Sequence, residues 1–217
     1  MAPQAPGAVG FVVPEVKPRE PETGWSVGIY GGPNLGQFAD GANSNFSSNI
    51  HGAGGVKLAY TWPFDQERTD QFQDEFGGFR LSGAVELDAG YVGNRLSGNA
   101  FGVVPYSADL DSAVFVVNFL LKGQVGNFRP YIGPGIGAAF HSASNFRVNG
   151  IGNRSDEDIS FAFQGVIGTD YFITPEWSIF TEYRLLAYQS LGLFSTPQIS
   201  FDRLYNNLVT FGVRRNF

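Results

Sequence analysis

From Gly24 to the end of the chain, apolar and polar residues alternate with a period of two in eight separate stretches. They run roughly 24–33, 52–62, 78–92, 112–124, 128–141, 159–171, 177–189 and 205–217. Successive side chains of an extended chain point to opposite faces, so each stretch reads as a strand with one apolar side. Each also covers the ~9–11 residues that a tilted strand needs to cross a bilayer. "FRPYIGPGIGAAFH" (128–141) is the extreme case. Ile132, Pro134, Ile136, Ala138 and Phe140 fill one face, while Gly133, Gly135 and Gly137 leave the other nearly bare. The expectation is that these glycines make room for long Arg, Glu and Lys side chains opposite. Pro134 lacks a ladder donor and marks a local bulge or a weaker pairing.

The connections alternate in length. "VGNF" (125–128) and "ITPE" (173–176) are tight turns, whereas 34–51, 93–111, 142–158 and 190–204 read as long loops rich in Gly, Asn, Ser and Asp. Short turns on one rim and long loops on the other suit an up-and-down, eight-stranded antiparallel barrel. The acidic connection "PFDQERTDQFQDEFG" (63–77) is the exception, long but on the short-turn side, and is expected to form a helical turn or small lobe. Residues 1–23 hold Pro3, Pro6, Pro14, Pro18 and Pro21 and read as an extended tail, so the barrel is expected over 24–217. "MAPQAPGAVG" lacks the basic start and sustained apolar run of a secretory leader. A net charge of −6 without a basic stripe argues against nucleic acid, and the absence of Cys excludes disulfides and thiolate metal sites.

Periodicity alone does not say which face meets which solvent, because a soluble lipocalin-like barrel turns the same apolar face inward. Three observations separate the cases, the aromatic placement most strongly; the first is the set of charged positions on the polar face: Lys57, Arg80, Glu86, Asp88, Lys122, Asp170, Glu182, Arg184 and Arg214. Five are cationic and four anionic, a near-neutral set suited to pairing inside a barrel that side chains alone can fill. The aromatic residues agree. Trp25, Trp62 and Trp177 fall on the short-turn rim, joined by Phe79, Tyr171 and Phe217, as rings do at headgroup depth. The expected outward face is apolar throughout, including Val27, Ile29, Phe115, Ile136, Phe161, Phe163 and Phe211.

"WSVGIYGGPNLG", "FRPYIGPGIGAAF", "GTDYFITPEWSIFTEYR" and "NNLVTFGVRRNF" resemble the small eight-stranded outer-membrane barrels of the opacity-type and OmpA-like transmembrane-domain superfamily, over about 24–217. That resemblance implies a bacterial outer-membrane location, contact with lipid and lipopolysaccharide, and a C-terminal strand ending in Phe217 that the barrel-assembly machinery reads. Arg215 stands where an aromatic is usual and is expected to snorkel to the interface. The superfamily mixes adhesins with structural proteins, so activity is not implied.

Chemical motifs are sparse. "GPGIG" is not followed by a helix, so it is not a dinucleotide loop. His141 with Ser142 or Ser144 would be the centre of a lipid A-modifying enzyme. Ser142 points to the opposite strand face and no orienting carboxylate is assignable, so a rim histidine with loop serines is preferred. "SDED" (155–158) and Asp109/Asp111 read as solvated loop charge rather than a calcium site. No catalytic residue, metal or cofactor is expected. The loop segment with Leu191, Leu193, Phe194, Ile199 and Phe201 is apolar and a candidate protein-contact surface. The function expected is structural or surface-interacting, with a charge-plugged lumen; a narrow porin, a lipid A enzyme and a soluble binder are the alternatives.

Overall fold

The computed structural model describes residues 23–40, 47–48, 51–64, 80–100, 104–148, 151–195 and 198–217. For several strand ends only the backbone is described. The strands are β1 (Gly24–Asp40), β2 (Ser47–Ser48), β3 (His51–Pro63), β4 (Arg80–Ala100), β5 (Val104–Gln124), β6 (Phe128–Val148), β7 (Ile151–Phe172), β8 (Trp177–Ser195) and β9 (Gln198–Asn216). Apart from the short β2, which extends β4 through Ser47↔Ser97, each strand pairs antiparallel with its sequence neighbours. β1 also pairs with β9, from Ser26↔Asn216 to Asp40↔Arg203, so the sheet closes on itself. Eight strands form an all-β, up-and-down barrel.

Side-chain direction follows the alternation. Phe115, Ile136 and Phe163, which a soluble barrel would bring together on its axis, are exposed on the outer wall. Val27, Ile29, Leu87, Phe119, Ile132, Phe161, Ile167, Phe211 and Val213 share that wall. Lys57, Glu86, Asp88, Lys122, Asp170, Glu182, Arg184 and Arg214 are buried inside. An apolar exterior around a buried ionic interior is the arrangement lipid demands, and the lipocalin-like alternative fails on it.

Three of the four long loops are corrected. β4 and β5 stay paired up to Ala100↔Val104, β6 and β7 to Val148↔Ile151, and β8 and β9 to Ser195↔Gln198. What reads as loop in 93–111, 142–158 and 190–204 is mostly strand continuing beyond the apolar band. Gly, Asn, Ser and Asp dilute the two-residue pattern there, so the hydrophobic signal weakens although the ladder does not, even where Asn94, Leu110, Ala143 and Leu204 stay buried on the inner face. Bulges punctuate these ends, between Asn34 and Gly36 in β1 and between Ala143 and Phe146 in β6. Residues 1–22 and 65–79, and with them most of the Pro-rich tail, most of the acidic connection and Phe79, lie outside the described residues.

The glycines of β6 serve closer neighbours than expected. A Cβ on Gly135 would meet the side chains of Asn118 and Val116, not a long ion. A Cβ on Gly133 or Gly137 would fall 1.9 Å from the backbone oxygen of Phe119 or Phe115, so these two admit the β5 backbone itself. Pro134 causes no bulge. The β5–β6 register runs from Asn118↔Gly135 to Leu121↔Ile132 without a shift, and the pairings at Gly133 and Pro134 are missing. The turn after β5 is a two-residue hairpin with Gly126 at φ 57°, a left-handed position that suits glycine.

Replacing Ile136 by Arg, on the outer wall, should cost about 2–4 kcal/mol if that position lies at mid-bilayer depth. Equilibrium urea unfolding in lipid vesicles measures it, and a cost below about 0.5 kcal/mol would contradict the outward assignment.

Candidate functional site: the barrel interior and its rims

Seven of the expected interior charges form one connected network. Lys57 Nζ lies 2.9 Å from Glu86 Oε1 and 2.6 Å from Glu182 Oε1. Arg184 Nε donates to Glu182 Oε2 at 2.8 Å, and its Nη2 lies 2.8 Å from Asp88 Oδ2, close enough for ion pairing though not aligned as a hydrogen bond. Arg214 Nη2 donates to Glu86 Oε2 at 2.9 Å, while its Nε sits 3.5 Å from Asp170 Oδ1. Glu182 thus bridges Lys57 and Arg184, and Glu86 bridges Lys57 and Arg214. Buried charges persist only with such paired, hydrogen-bonded partners.

The other two expected members stand apart. Lys122 is fully buried, with its ammonium 5.5 Å from the Tyr131 ring centre. Arg80 is half-buried at the short-turn end of β4, outside the ion pairs just described. Sequence reasoning also passed over the neutral groups that complete the network. Tyr131 donates its hydroxyl to Glu182 at 2.7 Å and Tyr30 to Asp88 at 2.8 Å. Gln164 donates to Asn118 at 3.0 Å, and Asn118 to Glu86 at 3.3 Å. Arg129 is buried as well, donating to Gln124 at 2.9 Å and lying over the Phe172 ring. Strand parity could have found them all, since each shares the inward face of its strand with a charge or a glycine.

A second interior layer is uncharged among the described residues that form it. Leu110, Leu186, Tyr188, Leu204 and Leu208, with Ala139 and Ala143, are excluded from solvent toward the tall-hairpin end. An asparagine cluster lies there too. Asn34 donates to Asn206 at 3.1 Å and also to Asn94. His141 is part of this layer, a correction to the rim position expected for it. Its Nδ1 is 2.8 Å from Ser112 Oγ and its Nε2 is 2.7 Å from Ser160 Oγ, and its ring packs edge-on to Tyr188. Both nitrogens are occupied by serines of the flanking strands β5 and β7, while Ser142 is exposed on the opposite face. This geometry ties three strands together and offers no nucleophile–base–acid relay.

The rims carry most of the aromatic residues singled out in the sequence. Trp25, Tyr171, Trp177 and Phe217 are exposed around the short-turn end and Trp62 is half-exposed. Tyr60, which stacks near Trp25 and Trp62, and Phe128, beside Tyr171, extend the ring. The Arg215 guanidinium lies 5.6 Å from the Trp177 ring and 5.0 Å from that of Phe217, at the same rim. At the far end, Asp109 pairs with Arg95 at 3.5 Å and accepts from Asn145 at 2.9 Å, while Asp111 accepts from Tyr91. These carboxylates each hold separate partners and do not converge. Leu191, Leu193, Phe194, Ile199 and Phe201 belong to the β8–β9 hairpin, with Leu191↔Phe201 and Leu193↔Ile199 in register. Their side chains lie outside the described residues.

Replacing His141 by Ala removes the shared partner of Ser112 and Ser160 and leaves a cavity beside Tyr188. Unfolding free energy should fall by about 2–4 kcal/mol, with lipid A unchanged in expressing cells. Altered lipid A with the wild type but not the variant would contradict this structural role.

A family model described as an outer membrane protein beta-barrel domain matches residues 8–217. No curated protein matches the chain. Among solved structures, Ail of Yersinia pestis in complex with the heparin analogue sucrose octasulfate is similar at 14% identity. That match covers 90% of this chain and 100% of that one, with a TM-score of 0.43. OprG of Pseudomonas aeruginosa is similar at 13% identity, covering 90% and 97%, with a TM-score of 0.44. The outer membrane enzyme PagL is similar at 14% identity, covering 87% and 97%, with a TM-score of 0.36. On the family match, the chain belongs to the outer-membrane β-barrel domain family and is a protein of the bacterial outer membrane.

Proposed function

We propose that this barrel is a non-conducting envelope protein that acts through the hairpins standing above its apolar band. The observation that carries the reading is the interior itself. The ionic network through Glu86, Lys57, Glu182, Arg184 and Arg214 is one barrier, and the layer of Leu110, Leu186, Tyr188, Leu204 and Leu208 is a second. A passing ion would have to break pairs whose members are almost wholly shielded from water, then cross a buried layer in which leucines and Tyr188 alternate with hydrogen-bonded asparagines and His141. Each step costs several kcal/mol.

The tall hairpins support the second half of the reading. Short turns face the periplasm in outer-membrane barrels and long connections face outward. Applied here, the turns at 125–128 and 173–176 lie in the periplasm and the paired ends of β4–β5, β6–β7 and β8–β9 stand outside. Paired strands present fixed surfaces, which suits contact with another protein or with lipopolysaccharide.

In planar bilayers the wild-type protein should give no single-channel steps. Substituting both Glu182 and Arg184 by Ala should still give none, because the second buried layer remains, while lowering stability by about 3–5 kcal/mol. Reproducible conductance by the wild type would overturn the reading and favour the narrow porin. Protease added to intact cells should cut the β4–β5 and β8–β9 hairpins, and failure to cut any hairpin in folded protein would reverse the orientation.

A further inference from the structure

The lumen carries buried polar groups that its ion pairs leave unused, and they gather at the short-turn end. In the central network Lys57, Arg184 and Arg214 balance Glu86, Asp88 and Glu182. Nearer the turns, Asp170 is the one inward-facing carboxylate among the described residues, against the cations Arg80, Lys122 and Arg129. Strand register places them together. Arg80 pairs with Gln124, Ser82 with Lys122, Arg129 with Asp170 and Ser178 with Arg214. Tyr131 joins the two sides of the lumen, with Lys122 Nζ 5.5 Å and Arg214 Cζ 5.8 Å from its ring centre. Asp170 interacts electrostatically with Lys122, and its Oδ1 is 3.5 Å from Arg214 Nε.

Several of these groups keep bonding capacity. Ser178 is 0% and Arg214 1% exposed, yet Ser178 Oγ and Arg214 Nε and Nη1 have no hydrogen-bond partner among the described residues. The same holds for Arg80 Nη1 and for both carboxylate oxygens of Asp170. A buried polar group left unbonded is costly, and a ligand that bonds it recovers that cost. The chemistry of the set is specific. Guanidinium, ammonium and hydroxyl donors from β4, β5, β8 and β9 call for an oxyanion, while the Asp170 carboxylate calls for a donor. Monohydrogen phosphate offers both, with three acceptor oxygens and one P–O–H group. Sulfate at neutral pH offers acceptors alone, and chloride has no proton to give.

We propose that the short-turn end of the lumen binds free inorganic phosphate, as the monohydrogen ion. Arg214, Ser178 and the Lys122 ammonium donate to its oxygens, and Arg80 adds positive charge at the mouth. Such charge-assisted bonds to phosphate are among the stronger hydrogen bonds a protein makes. The P–O–H group donates to Asp170, which otherwise accepts no hydrogen bond. Sulfate would set its oxygens against that carboxylate with no proton between them, so Asp170 selects against it. The layer of Leu110, Leu186 and Tyr188 lies beyond, so the site is a blind end and not a pore. The assignment holds whichever side of the membrane the hairpins face.

The test titrates the full chain, refolded in detergent at neutral pH, with sodium phosphate in a calorimeter. Saturable binding at one site per barrel is expected, with sulfate at matched ionic strength weaker by about ten-fold or more. Lys122→Met keeps an unbranched stem without the charge and should weaken phosphate by about ten-fold or more. Ser178→Ala removes no ion pair, so it serves if a charge variant fails to fold, and should weaken phosphate by about three-fold or more. Asp170→Asn should erase the preference for phosphate over sulfate, which loss of a purely structural ion pair would not do. Heat-modifiable migration confirms that each variant has folded. Glycerol phosphate, too large for an enclosed site, should bind less well than the free ion. Absence of saturable phosphate binding, equal sulfate binding by the wild type, or unchanged affinity in folded Lys122→Met or Ser178→Ala would overturn the proposal. Equal binding of glycerol phosphate would overturn the assignment to the free ion and point to phosphate-bearing headgroups.

Discussion

A backbone amide in hydrocarbon has no water to bond, and each unpaired one costs several kcal/mol. That constraint fixes the architecture. The pairing of β1 with β9 removes the last two edges, and the remaining ladders follow chain order. The two prolines of β6, Pro130 and Pro134, are absent from the β5 ladder yet keep their places opposite Thr169 and Gly165 on β7. Each lacks its donor only toward β5, the side on which Gly133 and Gly137 let the β5 backbone approach closely.

Closing the sheet also decides what the interior must hold. An eight-stranded barrel has room for side chains and little else. Here the filling is divided by chemistry: ions and tyrosines nearer the short-turn end, asparagines, leucines and His141 nearer the hairpins. Glu182 and Glu86 matter most among the ions, because each accepts from two cations on different strands. Their pairs cross the lumen and resist any opening of the wall. The interior therefore contributes to rigidity and to occlusion by the same contacts.

Much of this could be read from residue order. The alternation of Phe115, Val117 and Phe119 against Val114, Val116 and Asn118 sets strand faces directly, and the inward charges follow from parity. Three things were hidden, each for a physical reason. Beyond the apolar band polar and small residues occupy both faces of the strands, so a sequence such as Gly93–Ala100 carries no two-residue signal and reads as loop. The tie of Ser112 and Ser160 to His141 joins residues from three strands, and register cannot be derived from composition. The unbonded atoms of Ser178, Arg214 and Asp170 are a matter of how side chains meet across the lumen, and residue order does not report on that.

The central claim is the direction of the two faces, and the chain's lack of native cysteine allows it to be measured cleanly. Spin labels on single cysteines replacing Phe163 and, in a second variant, Val166 would sit on opposite sides of β7 within the span. In lipid vesicles the label at 163 should collide readily with dissolved oxygen and hardly with a water-soluble nickel chelate, as at a lipid-facing site. The label at 166 should be shielded from both. A shielded label at 163 together with a lipid-exposed one at 166 would contradict the account.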